Sequence, residues 1–241
     1  MDSDDNEIVF PGDILGYDGE YRAGNGCKVI KGNIVSTITG TKVIKSNYIN
    51  IIPIFGKYSP RTRDRVIGIV VDVGVSNWMV DINMANTVYM HPNDVPWKVD
   101  FGTAERYIAL GDVISAKVVS AEQNGKVMLT MKEPPLKVLR SGICIKLSPV
   151  AVPKIIGKKA GMIHILKSTT NCKLIVGQNG YVWMDGEDED LLNLIKIITF
   201  ISENNLMQHE LENSVKEKLH ALGYKTEDEK EKIEEENTEE N

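Results

Sequence analysis

The basic residues best placed to bind a phosphate backbone lie in one interval of this 241-residue chain, between Glu133 and Asp185. No acidic residue occurs inside this interval, so its positive charges have no counter-charge nearby in the sequence. Such a field is typical of a surface that attracts nucleic acid, although a solubilising surface gives the same pattern. The eight basic residues are Lys137, Arg140, Lys146, Lys154, Lys158, Lys159, Lys167 and Lys173.

Two of these lysines fall in a short segment bounded by glycines, Gly157-Lys158-Lys159-Ala160-Gly161. Small residues in such a turn let phosphates approach backbone N–H groups, and a helix that starts there points its positive end at the anion. We therefore predict RNA contact by Gly157, Lys158, Lys159 and Gly161. Ala160 stands one place before the second glycine, where its methyl group would obstruct close approach. The competing interpretation is an ordinary helix–helix turn with two surface lysines.

A second segment bounded by glycines, Gly177-Gln178-Asn179-Gly180, lies between two β-rich runs. Asn-Gly is a favoured hairpin turn because both positions tolerate a positive φ. For Gly177, Asn179 and Gly180 we therefore predict a structural turn in preference to direct RNA contact.

Three aromatic side chains upstream are candidates for stacking on bases. Trp78, Tyr89 and His91 lie in or beside β-rich runs, and the exposed face of a small barrel commonly stacks bases on such rings. Burial in the barrel core is the competing interpretation for the tryptophan and the tyrosine.

Three arginines, Arg61, Arg63 and Arg65, precede these aromatic residues in a basic connector. The guanidinium group forms bidentate hydrogen bonds with phosphate and carboxylate. We predict that the three arginines contact RNA phosphate, with the acidic rim of a partner protein as the alternative.

No arrangement of residues indicates catalysis. The histidines show no metal-ligand spacing, and neither a nucleophile elbow nor a Walker-type phosphate loop occurs. The acidic run at 185–190 precedes a predicted helix, where it compensates the helix dipole. We therefore predict a protein that is not an enzyme, with no metal and no cofactor. The four histidines are His91, His164, His209 and His220.

Composition bounds the class of protein. The net charge of −6 arises in residues 225–241, which hold nine acidic and three basic residues, so the remaining chain is balanced. This tail is poor in apolar residues and predicts disorder. Three widely spaced cysteines, Cys27, Cys144 and Cys172, indicate reduced thiols. With no transmembrane stretch and an acidic N-terminus, we predict a cytoplasmic protein without membrane contact.

The elements that must position these residues follow from periodicity. Residues 8–56 predict short strands, and 66–131 predict five strands separated by turns, including one at Asn124-Gly125. After Pro134-Pro135 the order is strand, helix, helix, strand, strand, helix, which is the order of a KH domain. Two C-terminal helices are predicted from their apolar residues. These are Leu191, Leu194, Ile195, Ile198 and Ile201 in one, and Met207, Leu211, Val215, Leu219 and Leu222 in the other.

The predicted fold is multidomain, mainly β and then α+β. A β-rich N-terminal domain (1–60) precedes a five-stranded OB-type barrel (61–134). A type I KH domain with an extra C-terminal helix (135–224) and the acidic tail (225–241) complete it.

Four stretches resemble motifs of one known family: residues 9–13, residues 56–60 with 66–70, residues 78–83, and residues 177–180 with Trp183. On these stretches the chain, up to about Tyr224, resembles the RNA-binding cap subunit of the archaeal exosome, the ribosomal-RNA-processing-protein-four type, whose barrel is of the ribosomal-protein-S-one kind. Two departures stand out: Arg63 replaces the family's usual glycine before the first barrel strand, and Met79 replaces a phenylalanine.

The resemblance implies a non-catalytic subunit that binds single-stranded RNA, with a preference for adenine-rich RNA. Three copies would form a trimeric cap on a hexameric ring of RNase-PH-like subunits, which degrades RNA by 3′-to-5′ phosphorolysis. The N-terminal domain would dock on the ring, and the barrels would surround its pore. Two alternatives remain: a Nus-A-type transcription elongation factor, which would need a second KH domain, and a scaffold without RNA affinity.

Overall fold

The structure, a computed structural model, describes residues 7–54, 56–122, 126–204 and 208–224. The chain forms two compact units that divide between Gly56 and Lys57. Among the described helices, none has the length and apolar character needed to cross a membrane. The predicted turn at Asn124-Gly125, Met207 and the acidic tail lie outside the described residues.

The first unit contains two small sheets, ordered β1-β6-β7-β3 and β2-β5-β4. Buried apolar residues between them form a small core around Ile34 and Ile49. Strands β4 and β5 form a hairpin because Lys31 and Gly32 both adopt positive φ, as a tight two-residue turn requires. The strands are β1 (Ile8–Val9), β2 (Ile14–Tyr17), β3 (Arg22–Ala23), β4 (Cys27–Ile30), β5 (Asn33–Ser36), β6 (Gly40–Lys45) and β7 (Tyr48–Pro53).

The second unit begins with the predicted barrel, which has the strand order β10-β9-β8-β11-β12 and a short β13 paired with β11. Alternate residues of these strands point inward to one apolar core. A one-turn helix, α1 (Ala104–Tyr107), lies between β10 and β11. The strands are β8 (Arg65–Gly74), β9 (Asn77–Asp81), β10 (Val88–Met90), β11 (Val113–Ala121), β12 (Val127–Thr130) and β13 (Val138–Leu139).

The KH domain follows with the predicted element order, and its antiparallel sheet, β14-β16-β15, confirms type I topology. Leu191 and Leu194 of the predicted stripe are buried, but Ile197 is buried in place of Ile195, which packs only partly buried against the same core. The elements are β14 (Ile143–Lys146), α2 (Val152–Ile156), α3 (Gly161–Thr169), β15 (Lys173–Val176), β16 (Tyr181–Asp185), α4 (Asp188–Glu203) and α5 (Gln208–Ala221).

The KH sheet is covered on both faces. Its helices pack on one face around a large apolar core. Its other face packs against the barrel through Tyr181 and Trp183, which meet Ile67 of β8 and Leu139 of β13. The barrel and the KH domain therefore share an apolar interface.

Candidate nucleic-acid interface

The turn between α2 and α3 is exposed and carries the two predicted lysines. Helix α2 is capped by Gly157, whose φ of 76° and ψ of 173° define a backbone conformation that favours glycine. Lys158, Lys159 and Ala160 are all exposed. Lys159 (φ 51°) and Ala160 (φ 62°, ψ 23°) both adopt the left-handed conformation. The turn thus presents two cations to solvent on a backbone that is unfavourable for residues other than glycine.

Gly161 is the first residue of α3 and has an ordinary helical φ of −65°. A Cβ added to Gly161 would lie 3.9 Å from Oε1 of Glu212, which α5 contributes. The positive end of α3 therefore has a carboxylate nearby, which opposes the binding of a phosphate there.

The second glycine-bounded turn is buried. The segment joins β15 to β16, as predicted, and the backbone N–H of Gly180 donates to the carbonyl of Gly177 at 3.1 Å. Gly180 has a φ of 89°, whereas Asn179 does not have a positive φ, so the turn is not of the Asn-Gly type expected from the sequence. Asn179 is fully buried.

The side-chain amide of Asn179 bonds the barrel backbone. Its Oδ1 accepts from the N–H of Ile67 (3.2 Å), and its Nδ2 donates to the carbonyls of Ile67 (2.7 Å) and Ile82 (3.0 Å). Pairing between β8 and β9 ends at Ile69 and Asp81, so the amide lies just beyond the end of this ladder. It supplies there the hydrogen bonds that a further pair of peptide groups would make.

Further hydrogen bonds cross the same junction, and one of them is donated by the backbone N–H of Gln178 to the carbonyl of Arg65 at 2.9 Å. Asn83 Nδ2 donates to the carbonyl of Asn179 at 2.6 Å, and Tyr181 Oη donates to Oδ2 of Asp81 at 2.7 Å. Burial, followed by the bond to the Asp81 carboxylate, raises the pKa of Tyr181, which keeps this donor protonated. The backbone N–H of Arg65 donates to Oε1 of Gln178 at 2.7 Å. The turn at 177–180 thus joins the KH domain to the barrel.

The aromatic candidates separate into two groups. Trp78 is fully buried in the barrel core, where its Nε1 donates to the carbonyl of Ile108 at 2.9 Å, so its predicted stacking on RNA is wrong. Trp78 and Val80 alternate inward on β9, which leaves Met79 on the outer face. Met79 pairs with Tyr89 of β10, which is 49% exposed. The predicted stacking face is therefore carried by Tyr89.

His91 lies next to Tyr89 on the barrel surface. The two ring centroids are 6.3 Å apart, and the ring planes are inclined by 44°. Nδ1 of His91 accepts from the N–H of Asn93 at 3.1 Å, so the proton of the neutral ring is on Nε2. These two exposed rings form a surface on which bases can stack.

The three arginines do not form one cluster of equivalent residues. Arg61 and Arg63 lie in an exposed turn before β8, where Oδ2 of Asp64 accepts from the N–H of Arg61 at 2.9 Å. Arg63 has a φ of 78°, the left-handed conformation that glycine would adopt with less strain. Arg65 lies instead on β8, at the junction with the KH domain.

Comparisons with known proteins agree along the chain. A family model described as the exosome complex exonuclease RRP4 N-terminal region matches residues 8–45, and a KH domain model matches residues 142–190. Over 201 residues the chain is 37% identical to the exosome complex component Rrp4 of Thermoplasma volcanium, a match that covers 82% of this chain and 84% of the relative. The chain belongs to the Rrp4 family.

Two further comparisons extend this assignment. The Rrp4 of Methanobrevibacter smithii is 37% identical over 220 residues, covering 90% of this chain and 72% of the relative. A crystal structure of a protein assigned as an exosome complex RNA-binding protein superposes with a TM-score of 0.60 at 26% identity, covering 69% of this chain and 99% of that one. The Rrp4-family assignment leaves the Nus-A-type alternative without support.

Sequence reasoning missed the partners of Asn179 and the placement of Glu212 in this Rrp4-family chain. Asn179 contacts residues about a hundred positions away, and no local spacing indicates that pairing. The glycines on either side of Asn179 were the available signal of a close approach, since a Cβ on Gly177 would lie 2.8 Å from the backbone nitrogen of Ile67. Position 177 has no room for a side chain because the barrel backbone lies too close to it.

Proposed function

We propose that this protein is the non-catalytic RNA-binding subunit of an exosome. It binds single-stranded RNA, with adenine-rich RNA as the preferred class, and guides it to the pore of a hexameric ring of RNase-PH-like subunits. Three copies form a trimeric cap on that ring, and the cap increases RNA binding and 3′-to-5′ phosphorolytic degradation.

One observation carries the RNA-binding part of this proposal. A single compact unit presents two surfaces suited to RNA: the exposed lysines Lys158 and Lys159 beside the start of α3, and the exposed rings of Tyr89 and His91. Cations bind the phosphates and rings stack on the bases, which is how single strands are bound without strong sequence preference. We also propose that Gly157, Gly161, Arg61, Arg63 and Arg65 contact the RNA.

The first unit supplies the proposed docking surface for the ring. Ile8 of β1, Thr41 of β6 and Ile52 of β7 are register partners, so their side chains lie in one row on the same face. Ile8 is 56% exposed and Ile52 is 54% exposed, while the neighbouring residues Val9 and Ile51 are buried. A unit of this size with a small core and an exposed apolar row fits a protein partner.

The cytoplasmic location and the domain boundaries are also proposals. All three cysteines are free thiols, which suits a reducing compartment. Burial raises the pKa of Cys144 to about 11, so this thiol is unreactive at neutral pH. The proposed boundary after residue 60 falls between β7 and β8, and the one after residue 134 falls between β12 and the short β13, which pairs with β11 of the barrel.

Native mass spectrometry with the ring subunits tests the assembly. We expect three copies per hexamer for the wild-type protein, and loss of the complex for Ile8→Glu with Ile52→Glu, because two buried carboxylates would have no partner. The matched control is Val29→Glu with Ile30→Glu, two exposed apolar residues of β4 in the other sheet. Assembly that survives the first pair, or fails equally with the control, contradicts the proposed surface.

RNA binding by the free protein tests the RNA-binding part of the proposal. We expect weak binding of oligoadenylate with a slope of log affinity against log salt of about −0.7 per phosphate contacted. A protein that assembles on the ring but binds no RNA at any salt concentration would be a scaffold, and the RNA-binding proposal would fail.

A further inference from the structure

The acidic tail, residues 225–241, carries the net negative charge of the chain and has no part in the RNA-binding proposal. Its charges are unevenly distributed. Residues 225–232 contain four acidic and three basic residues, whereas residues 233–241 contain five glutamates and no basic residue. The tail is therefore an almost neutral spacer of eight residues followed by a block of like charges. Such a block is typical of a segment that interacts with a surface of opposite charge.

The turn at residues 157–161, which we call the lysine turn, is a surface of opposite charge. Lys158 and Lys159 are exposed, and neither forms an ion pair with another described residue. The start of α3 behind them has no side-chain cap and no acidic residue in its first turn. The two ammonium groups therefore lack a carboxylate partner within the described part of the chain, and they attract one.

The tail begins, in contrast, in acidic surroundings. The hydroxyl of Tyr224, the residue before the tail, donates to Oδ1 of Asp190. Asp190 lies in the first turn of α4, whose three residues are all acidic. Lys173 lies at the same surface, but it already forms an ion pair with Asp185 at 3.1 Å. The surface where the tail begins therefore repels the acidic block, which favours cations further away.

The lysine turn lies within reach of the acidic block. Oε1 of Glu212 in α5 lies 3.9 Å from the position of a Cβ on Gly161, so α5 passes the turn at Glu212. From there α5 continues for nine residues to Ala221, which is about 14 Å along its axis. An extended spacer of eight residues spans up to roughly 26–29 Å, enough to cover this length and the 10–12 Å width of a helix.

We propose that residues 233–241 dock on Lys158 and Lys159 of their own chain, so that RNA must displace the tail to reach the lysine turn. This inference rests on the proposed RNA-binding function and names a regulator of one of its surfaces. The contact is intramolecular, so weak ion pairs are sufficient for it to form. An anion that engages only the lysines competes poorly with the tail. RNA that also stacks on Tyr89 and His91 competes well, because the tail has no base to place on those rings.

Binding of fluorescent oligoadenylate to a charge variant of the full-length protein tests the competition. Replacing the five glutamates of the acidic block with glutamine keeps the chain length and should raise the affinity about fivefold at about 50 mM salt. The gain should vanish at about 0.5 M salt, because exposed ion pairs are screened there. The variant combines Glu234→Gln, Glu235→Gln, Glu236→Gln, Glu239→Gln and Glu240→Gln.

Two lysine backgrounds separate docking from general repulsion of RNA by the tail. With Lys158→Ala and Lys159→Ala, the glutamine changes should no longer raise the affinity, because the docking surface is gone. The matched control background is Lys98→Ala with Lys196→Ala, two exposed lysines of the barrel and of α4, in which the fivefold gain should remain. A gain that persists without Lys158 and Lys159 would show that the tail repels RNA from the whole surface, and the docking proposal would fail.

Nuclear magnetic resonance detects the docking without RNA. The backbone amide signals of residues 158–161 should shift between the wild-type protein and the glutamine variant, while those around Lys196 should not. If wild-type protein and the variant bind RNA equally and no signal shifts, the docking proposal fails and the proposed function stands. If the signals shift but neither protein binds RNA, the docking stands and the RNA-binding proposal fails. If neither binding nor a shift is seen, both fail.

Discussion

The KH domain contains two turns that look alike in sequence but differ in exposure, in charge and in hydrogen bonding. Residues 157–161 and residues 177–180 both begin and end with glycine and connect neighbouring elements. The first is exposed and carries two lysines, while the second is buried and carries an asparagine whose amide bonds the barrel. The glycines of the second turn make room for protein backbone, whereas in the first turn Gly157 supplies a positive φ and Gly161 faces Glu212 of α5.

This contrast separates the residues proposed to bind RNA from the residues that join the two modules. A charge at the tip of an exposed turn contributes little to stability, because water solvates it equally well in the unfolded chain. A buried amide with three partners in another module contributes to stability, because its removal leaves those partners unpaired. Substitutions in the two turns should therefore have opposite signatures.

The largest effect should follow from Asn179→Ala. The substitution leaves the N–H and carbonyl of Ile67 and the carbonyl of Ile82 without their bonds to the amide, at a cost of about 3 kcal/mol or more in unfolding free energy. Chemical denaturation measures it, with Asn171→Ala, an exposed asparagine of the same domain, as the control. A decrease of less than about 1 kcal/mol would show that the Asn179 amide contributes little to the junction between the barrel and the KH domain.

The next effect is on RNA and should leave stability unchanged. Lys158→Glu with Lys159→Glu reverses two exposed charges, so we expect more than about 25-fold weaker RNA binding at 0.1 M salt and the same melting temperature. Fluorescence anisotropy measures the affinity, and Lys196→Glu is the control on the surface of α4. Unaltered affinity would mean that the first turn is structural as well, and that the barrel binds the RNA.

The smallest effect should come from Ala160→Gly. Alanine in the left-handed conformation costs about 1–2 kcal/mol, and part of that is offset by the greater entropy of glycine in the unfolded chain. We expect a net stabilisation of about 0.5–1 kcal/mol in chemical denaturation, together with tighter RNA binding because the methyl group is gone. Ala221→Gly at the end of α5 is the control, where the same change should destabilise. A higher unfolding free energy without tighter binding would show that the methyl group does not limit phosphate approach.

Most of the fold could be predicted because its elements are local. Apolar residues indicated all five barrel strands, and most buried residues of α4 and α5 follow the predicted stripes. Two predictions were wrong: Ile197 is buried in place of Ile195, and Leu222 is 40% exposed and lies beyond the end of α5. The resemblance to the exosome cap family also led to the correct family. The turn at 177–180 was placed correctly between its strands, since glycine and asparagine end β structure wherever they occur together.

The candidate site was harder to predict because exposure depends on register and on distant partners. A one-residue difference in strand register decides that Trp78 lies inside the barrel and Met79 outside. The residue type alone does not show on which side a tryptophan lies. The left-handed φ of Arg63 and Ala160 was likewise hard to predict, because its only sign in the sequence is that a glycine is missing at each position.

The junction at Asn179 also has a consequence for how RNA of different lengths is bound. When two weak sites belong to one rigid body, the second contact is intramolecular, and its effective concentration is set by the reach of the RNA and not by the motion of the protein. An oligonucleotide too short to span two sites should bind as weakly as a mononucleotide. Once the strand is long enough to span both sites, affinity should rise in a step. The affinity therefore depends on the length of the RNA as well as on its charge.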